Sequence, residues 1–98
     1  MGPVQHVVIL AFKPEAGPDA AAAFFADAEV MASKIEGLTS FVHGPNISAE
    51  ALSGGFTHAF IMTFVDAAAL AAYLPHPLHE AFKAKHVPNA AKVLVVDI

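Results

Sequence analysis

Residues 6–12 read HVVILAF. In a β-strand successive side chains point to opposite faces. Here both sets are apolar, Val8, Leu10 and Phe12 against Val7, Ile9 and Ala11. A strand of this kind needs cover on both sides. Residues 56–65, FTHAFIMTFV, repeat the pattern. One face is heavy (Phe56, His58, Phe60, Met62, Phe64), and the other is lighter but still largely apolar (Thr57, Ala59, Ile61, Thr63, Val65). Shorter runs at 39–44 (TSFVHG) and 92–98 (KVLVVDI) complete a set of four strands.

Cover for one side comes from helices. Pro18 suits the first turn of a helix and Asp19 the positive end of its dipole. Phe24, Ala28, Met31 and Ile35 then recur on one stripe of a 3.6-residue period, and Gly37 stops a helix that runs to about Glu36. Asp66 is a natural N-cap for AAALAAYL. Pro75 and Pro77 break that helix, Pro77 opens a further one (PLHEAFKAKHV), and Pro88 closes it. The order β-α-β-β-α-β predicts an α+β, ferredoxin-like domain spanning residues 1–98, with a four-stranded antiparallel sheet and helices on one face.

The other face has no helix to cover it. A domain of 98 residues is marginal alone, burying about 60–65% of its unfolded surface. Yet 56% of its residues are hydrophobic, against roughly 45–50% in an average globular chain. No apolar run reaches the ~18 residues of a membrane span. No basic segment precedes an apolar core at the N-terminus, so a cytoplasmic protein without a signal peptide is expected. A second copy packed sheet to sheet, as a dimeric α+β barrel, solves the burial problem, so a homodimer through the open sheet faces is predicted.

Charge narrows the partners. The net charge is −4, and all five basic residues are lysines. Nucleic acid is not expected without a basic face. A bidentate phosphate or carboxylate clamp is not expected without arginine. With no cysteine, thiol chemistry is excluded. Six histidines are the one unusual chemical feature.

Several motifs resemble the stress-responsive dimeric α+β barrel (Dabb) family. They are HVVILAF, GPN at 44–46 with Ser48, GGFTHAF at 54–60, YLPHPLHEAF at 73–82, and the closing VLVVDI. The resemblance covers nearly the whole chain. It implies a ferredoxin-like fold and a two-fold dimer, and it leaves the reaction open. A plant member, olivetolic acid cyclase, closes a polyketide ring without a cofactor. By that resemblance Tyr73 and His79 are the acid–base pair, and the strand histidines fall on His6 and His58. Cofactor-free oxygenases among related barrels imply that such a pocket supports more than one chemistry.

The residues themselves support part of this. With Pro77 as the first helical residue, His79 lies in the first turn, where the helix dipole disfavours imidazolium and keeps a basic, neutral ring. Tyr73 ends the preceding helix and can offer its hydroxyl to a carbonyl oxygen. The plainer alternative is a core-edge tyrosine and a helix-start histidine. His58 and His6 have two readings each, as pocket residues or as core histidines bonded to their neighbours. His76 is expected to cap the helix that Pro77 opens, and Asn46 to bond its own backbone in a turn. His43 and His86 are expected at the surface, and Lys83, Lys85 and Lys92 as solvated charges. Met31 and Met62 are read as core fillers. His76 and His79 alone are a weak metal signal, so no metal and no cofactor are predicted.

The expected site is an apolar pocket between helices and sheet, walled by Phe24, Phe60, Met62 and Phe82, with Tyr73, His79, His58 and His6 as polar groups. It suits a neutral or aromatic ligand. The functional expectation is cofactor-independent acid–base catalysis of the cyclase or isomerase type on a carbonyl compound. The alternatives are a non-catalytic ligand-binding or stress-response dimer and a protein-interaction module.

Overall fold

The computed structural model describes residues 2–98. The elements run β1 (Val4–Phe12), α1 (Ala20–Ala32), β2 (Leu38–Pro45), β3 (His58–Phe64), α2 (Ala67–Tyr73), α3 (Pro77–His86) and β4 (Ala90–Asp97). One antiparallel sheet has the order β2-β3-β1-β4, and the helices lie on one face. This is the ferredoxin-like arrangement expected from the element order.

Strand register decides which residues meet. On the helix side, one row across the sheet is Phe41–Met62–His6–Asp97, the next is His43–Phe60–Val8–Val95, and the third is Pro45–His58–Leu10–Val93. The core forms over these rows. Phe24, Phe25, Met31 and Ile35 from the first helical segment pack on Val8, Leu10, Phe60, Met62 and Phe64, with Leu70 and Tyr73 of α2 closing one end. Phe64, Leu10 and Met62 are the largest side chains fully withdrawn from solvent. Each contributes roughly 1.5–3 kcal/mol of burial.

The opposite face carries the rows Val42–Ile61–Val7–Val96 and Gly44–Ala59–Ile9–Leu94. Val42, Leu94 and Val96 are 57%, 46% and 47% exposed. No helix of the described residues covers this apolar band, and only the connection before β3 reaches it, where Leu52 and Phe56 share a groove with Ile9, Ala59 and Leu94.

Two boundaries differ from expectation. The first helix ends at Ala32, not Glu36, because Lys34 and Ile35 donate to Met31 and Ala32 in tighter i→i−3 bonds. Ile35 stays buried all the same. Gly37 then turns the chain with φ +84°, a conformation natural to glycine. Phe56 lies before β3 rather than on its heavy face, half-buried, with the Lys92 ammonium 4.4 Å from its ring centre. Lys92 also donates to the Gly54 carbonyl, so it is a bracing residue rather than a free charge.

Candidate functional site

The broken helix around Pro75 and Pro77 sets the site. Asp66 caps α2, its carboxylate accepting from the Ala69 N–H at 2.8 Å, and α2 ends at Tyr73. His76, held extended by the following proline, accepts from the Leu78 N–H at 3.0 Å through Nδ1 and so caps α3 as expected. That bond takes the amide that an unbroken helix would have aimed at the Leu74 carbonyl. The freed carbonyl is instead 2.9 Å from Nδ1 of His79. A carbonyl only accepts, so Nδ1 carries the proton and the Nε2 lone pair of the neutral ring is left for other work.

The His79 ring stacks on Tyr73, with centroids 4.2 Å apart and planes 26° from parallel. Burial pushes the His79 pKa below the usual histidine value. The bond to Leu74 opposes this, and the Lys83 charge adds to it. The ring is therefore mostly neutral at pH 7. Tyr73 is 2% exposed, and burial raises its hydroxyl far above the usual tyrosine range, so it stays protonated. No fully buried side-chain nitrogen or oxygen of the described residues lacks a partner, and the Tyr73 hydroxyl is bonded to none of them. It opens onto the adjoining cavity, which Tyr73 lines.

That cavity has a volume of about 250 Å³ and lies between β1, β4 and the three helices. His6, Val8, Leu10, Val93 and Val95 form its sheet side, and Phe24, Phe60, Phe82, Tyr73, His79 and Lys83 are among the rest of its lining. His6 is buried, and its Nδ1 lies 2.6 Å from an Asp97 carboxylate oxygen, the contact set by the β1–β4 register. The carboxylate holds the Nδ1–H tautomer, leaving Nε2 of His6 as an acceptor. The His6 ring sits edge-on to Tyr73, 6.1 Å between centroids.

Two expected members fall elsewhere. Met62 is 0% exposed and lies under the cavity as core rather than wall. His58 shares the helix-side face with His6 but pairs with Leu10, four residues along β1 from His6, about 13 Å away. It packs against Phe12 and Phe25, bonds Thr57 at 2.8 Å and borders a separate open groove of about 410 Å³ with His43. Burial, and then the neighbouring His43, lower its pKa.

The structure also corrects His86, which is 3% exposed rather than at the surface. Its Nε2 donates to Asp27 at 2.8 Å, and Lys85 donates to the same oxygen at 2.7 Å. The two donors hold the Asp27 carboxyl below the usual range. His86 packs on Phe24 and Phe82, so this tie between α1 and α3 fixes two cavity walls. His43 is exposed as expected, stacked on Phe25 at 4.4 Å. Asn46 accepts from Ser48 in a local turn, also as expected. Asp97 was not legible as a site residue, because only the strand register brings it to His6. Among the described residues, no group of three or more His, Cys, Asp or Glu is arranged to hold a metal ion, and no helix is long and apolar enough to cross a membrane.

Fold and cavity together define a ferredoxin-like α+β protein with a small apolar site that converges on a tyrosine and two histidines. Residues 4–98 match the sequence model of the stress-responsive A/B barrel domain (Dabb). The stress-response A/B barrel domain-containing protein HS1 of Arabidopsis thaliana is 34% identical over 96 residues, 98% of this chain and 88% of that protein. The chain belongs to the Dabb family. A dimeric ferredoxin-like protein of unknown function from Jannaschia sp. CCS1 superposes with a TM-score of 0.83 at 34% identity, over 99% of this chain and 98% of that one. A hydroxynitrile lyase from Passiflora edulis shares the fold, with a TM-score of 0.91 at 21% identity over 99% of this chain and 92% of that one.

Proposed function

We propose that the chain works as a homodimer joined through its open sheet faces, each subunit carrying out cofactor-independent acid–base chemistry on a small carbonyl compound. His79 takes a proton from the carbon next to the carbonyl through Nε2. Tyr73 donates a hydrogen bond to the carbonyl oxygen as it gains enolate character. His6, oriented by Asp97, is a second proton acceptor or relay on the sheet side. The observation that carries this reading is the Leu74–His79 hydrogen bond. It fixes the tautomer in which the nitrogen not bonded to protein is the basic one. The apolar lining supplies the dry surroundings in which a hydrogen bond to a developing oxyanion counts for most.

The dimer rests on the apolar band across all four strands and on the dimeric Jannaschia relative. The relationship to a lyase at the level of fold is compatible with carbonyl chemistry on this scaffold and does not specify it.

The test is α-hydrogen exchange. A panel of small aryl and alkyl ketones is incubated with the protein in D₂O, and loss of the α-proton signal is followed by NMR. The wild-type chain accelerates exchange for at least one ketone. His79→Ala lowers that rate by about 10²–10⁴-fold, the usual range for a positioned general base. Unchanged exchange in both His79→Ala and Tyr73→Phe sinks the assignment. A second reading, a ligand-binding dimer without turnover, draws on the fully protonated Tyr73 hydroxyl, which suits it to recognise a carbonyl without chemistry. It predicts saturable ketone binding with no exchange.

A further inference from the structure

The cavity lining holds one side chain that is neither apolar nor part of the tyrosine–histidine group. Lys83 is its only formally charged lining residue among those described. On α3, residues 79, 82, 83 and 86 follow the i, i+3, i+4, i+7 spacing of one helical stripe. Lys83 therefore lies about one turn beyond His79, about 6 Å along the axis. Its ammonium is held 2.6 Å from Glu80, and both side chains are partly exposed, at 43% and 56%. An exposed i,i+3 pair of this kind is weak and readily exchanged. Among the described residues no carboxylate lines the cavity, so none of its walls offers a competing anion.

A ligand whose carbonyl sits at Tyr73 and His79 thus has a cation one helical turn away at the cavity edge, with apolar walls around the rest of it. We propose that Lys83 is a specificity-determining residue that takes the carboxylate of a small oxo acid, the carbonyl of that acid lying against Tyr73 and His79. A separation of about one turn matches an acid whose carbonyl and carboxylate are a few bonds apart, with an aryl or alkyl tail among Phe24, Phe60 and Phe82. A lysine is a point charge on a flexible stem, so it suits a carboxylate at a cavity edge without the fixed fork that arginine imposes. The expectation of a neutral ligand, drawn from the lack of arginine, gives way on this proposal to an anionic one held by a lysine. This inference rests on the reading of the cavity as a carbonyl-ligand site.

The test uses two probes of nearly equal shape, 4-oxo-4-phenylbutanoate and its primary amide. Each is titrated into the ¹⁵N-labelled full chain and into Lys83→Gln, with affinity read from shifts of cavity residues. The wild-type protein binds the carboxylate about tenfold more tightly than the amide, a difference of about 1.4 kcal/mol. In Lys83→Gln that ratio falls to near one while the affinity for the amide stays put. The same variant raises the His79 ring pKa, because the Lys83 charge that depresses it is gone. A wild-type ratio near one, or a ratio retained in Lys83→Gln, overturns the role of Lys83 while leaving the cavity as a ligand site. Failure of both probes to shift any cavity residue overturns the site itself, and the inference with it.

Discussion

A methyl group added at residue 37 links the stability of the fold to the site. Gly37 has φ +84°, and a β-carbon built there falls 2.7 Å from the β-carbon of Ala69 in α2. Two costs follow from Gly37→Ala. Placing an L-residue in the left-handed region costs roughly 1–2 kcal/mol. Forcing a methyl onto another methyl at that distance adds an overpacking cost of about 1–3 kcal/mol, relieved only as α2 moves away. The sum is about 2–5 kcal/mol. At about 4–8 °C per kcal/mol for a domain of this size, the expected fall in Tm is on the order of 10–40 °C. Ala69 precedes Tyr73 by one helical turn on the same face, so a displaced α2 also moves Tyr73 off His79. The assay is chemical denaturation at fixed subunit concentration, combined with the double variant Gly37→Ala, Ala69→Gly. Ala69→Gly alone costs about 1 kcal/mol as a helical glycine. On the Gly37→Ala background it removes the collision, so the two changes are coupled by about 1–3 kcal/mol. A Gly37→Ala cost below about 1 kcal/mol, or additive changes with no coupling, would refute the steric account.

The remaining expectations concern the site and the open face. His79 should titrate below the usual 6.5 in NMR spectra of its ring, and α-hydrogen exchange should decline as pH falls through that lowered value. The unfolded chain binds this proton first, so acidification through 6.5 also costs stability until the folded-state value is passed, and a His79 pKa above 6.5 would contradict the burial argument. Met62→Ala should cost about 2–5 kcal/mol as a fully buried core truncation, whereas Phe82→Ala, half-buried at the cavity, should weaken ligand binding for a smaller stability loss; equal effects of the two on binding would restore Met62 to the wall. Leu94→Asp with Val96→Asp should convert a dimer into a folded monomer by sedimentation equilibrium, and an unchanged mass would place the subunit interface elsewhere.

Much of the architecture was legible in the sequence because it is written in local periodicity. The period-2 runs, the 3.6-residue stripe ending at Ile35, and the caps and prolines at 66, 75 and 77 each act over a few neighbouring residues. They fixed the element order, the side that helices cover, and the excess of apolar surface on the other side. The stop at Gly37 was also readable, although the helix itself ends earlier, where i→i−3 bonds take over.

What the sequence could not supply was register and side-chain partnership, which depend on residues far apart in the chain. Only the pairing of His6 with Met62 and of His58 with Leu10 shows that the two histidines share a face, and the same pairing separates them into different sites. The same register brings Asp97, 91 positions away, to His6, and the packing of α3 on α1 buries His86 against Asp27. The broken helix was visible in its prolines. That the break frees the Leu74 carbonyl for His79 follows only from the path of the chain in space, because a hydrogen bond depends on where two groups arrive and not on their spacing in sequence.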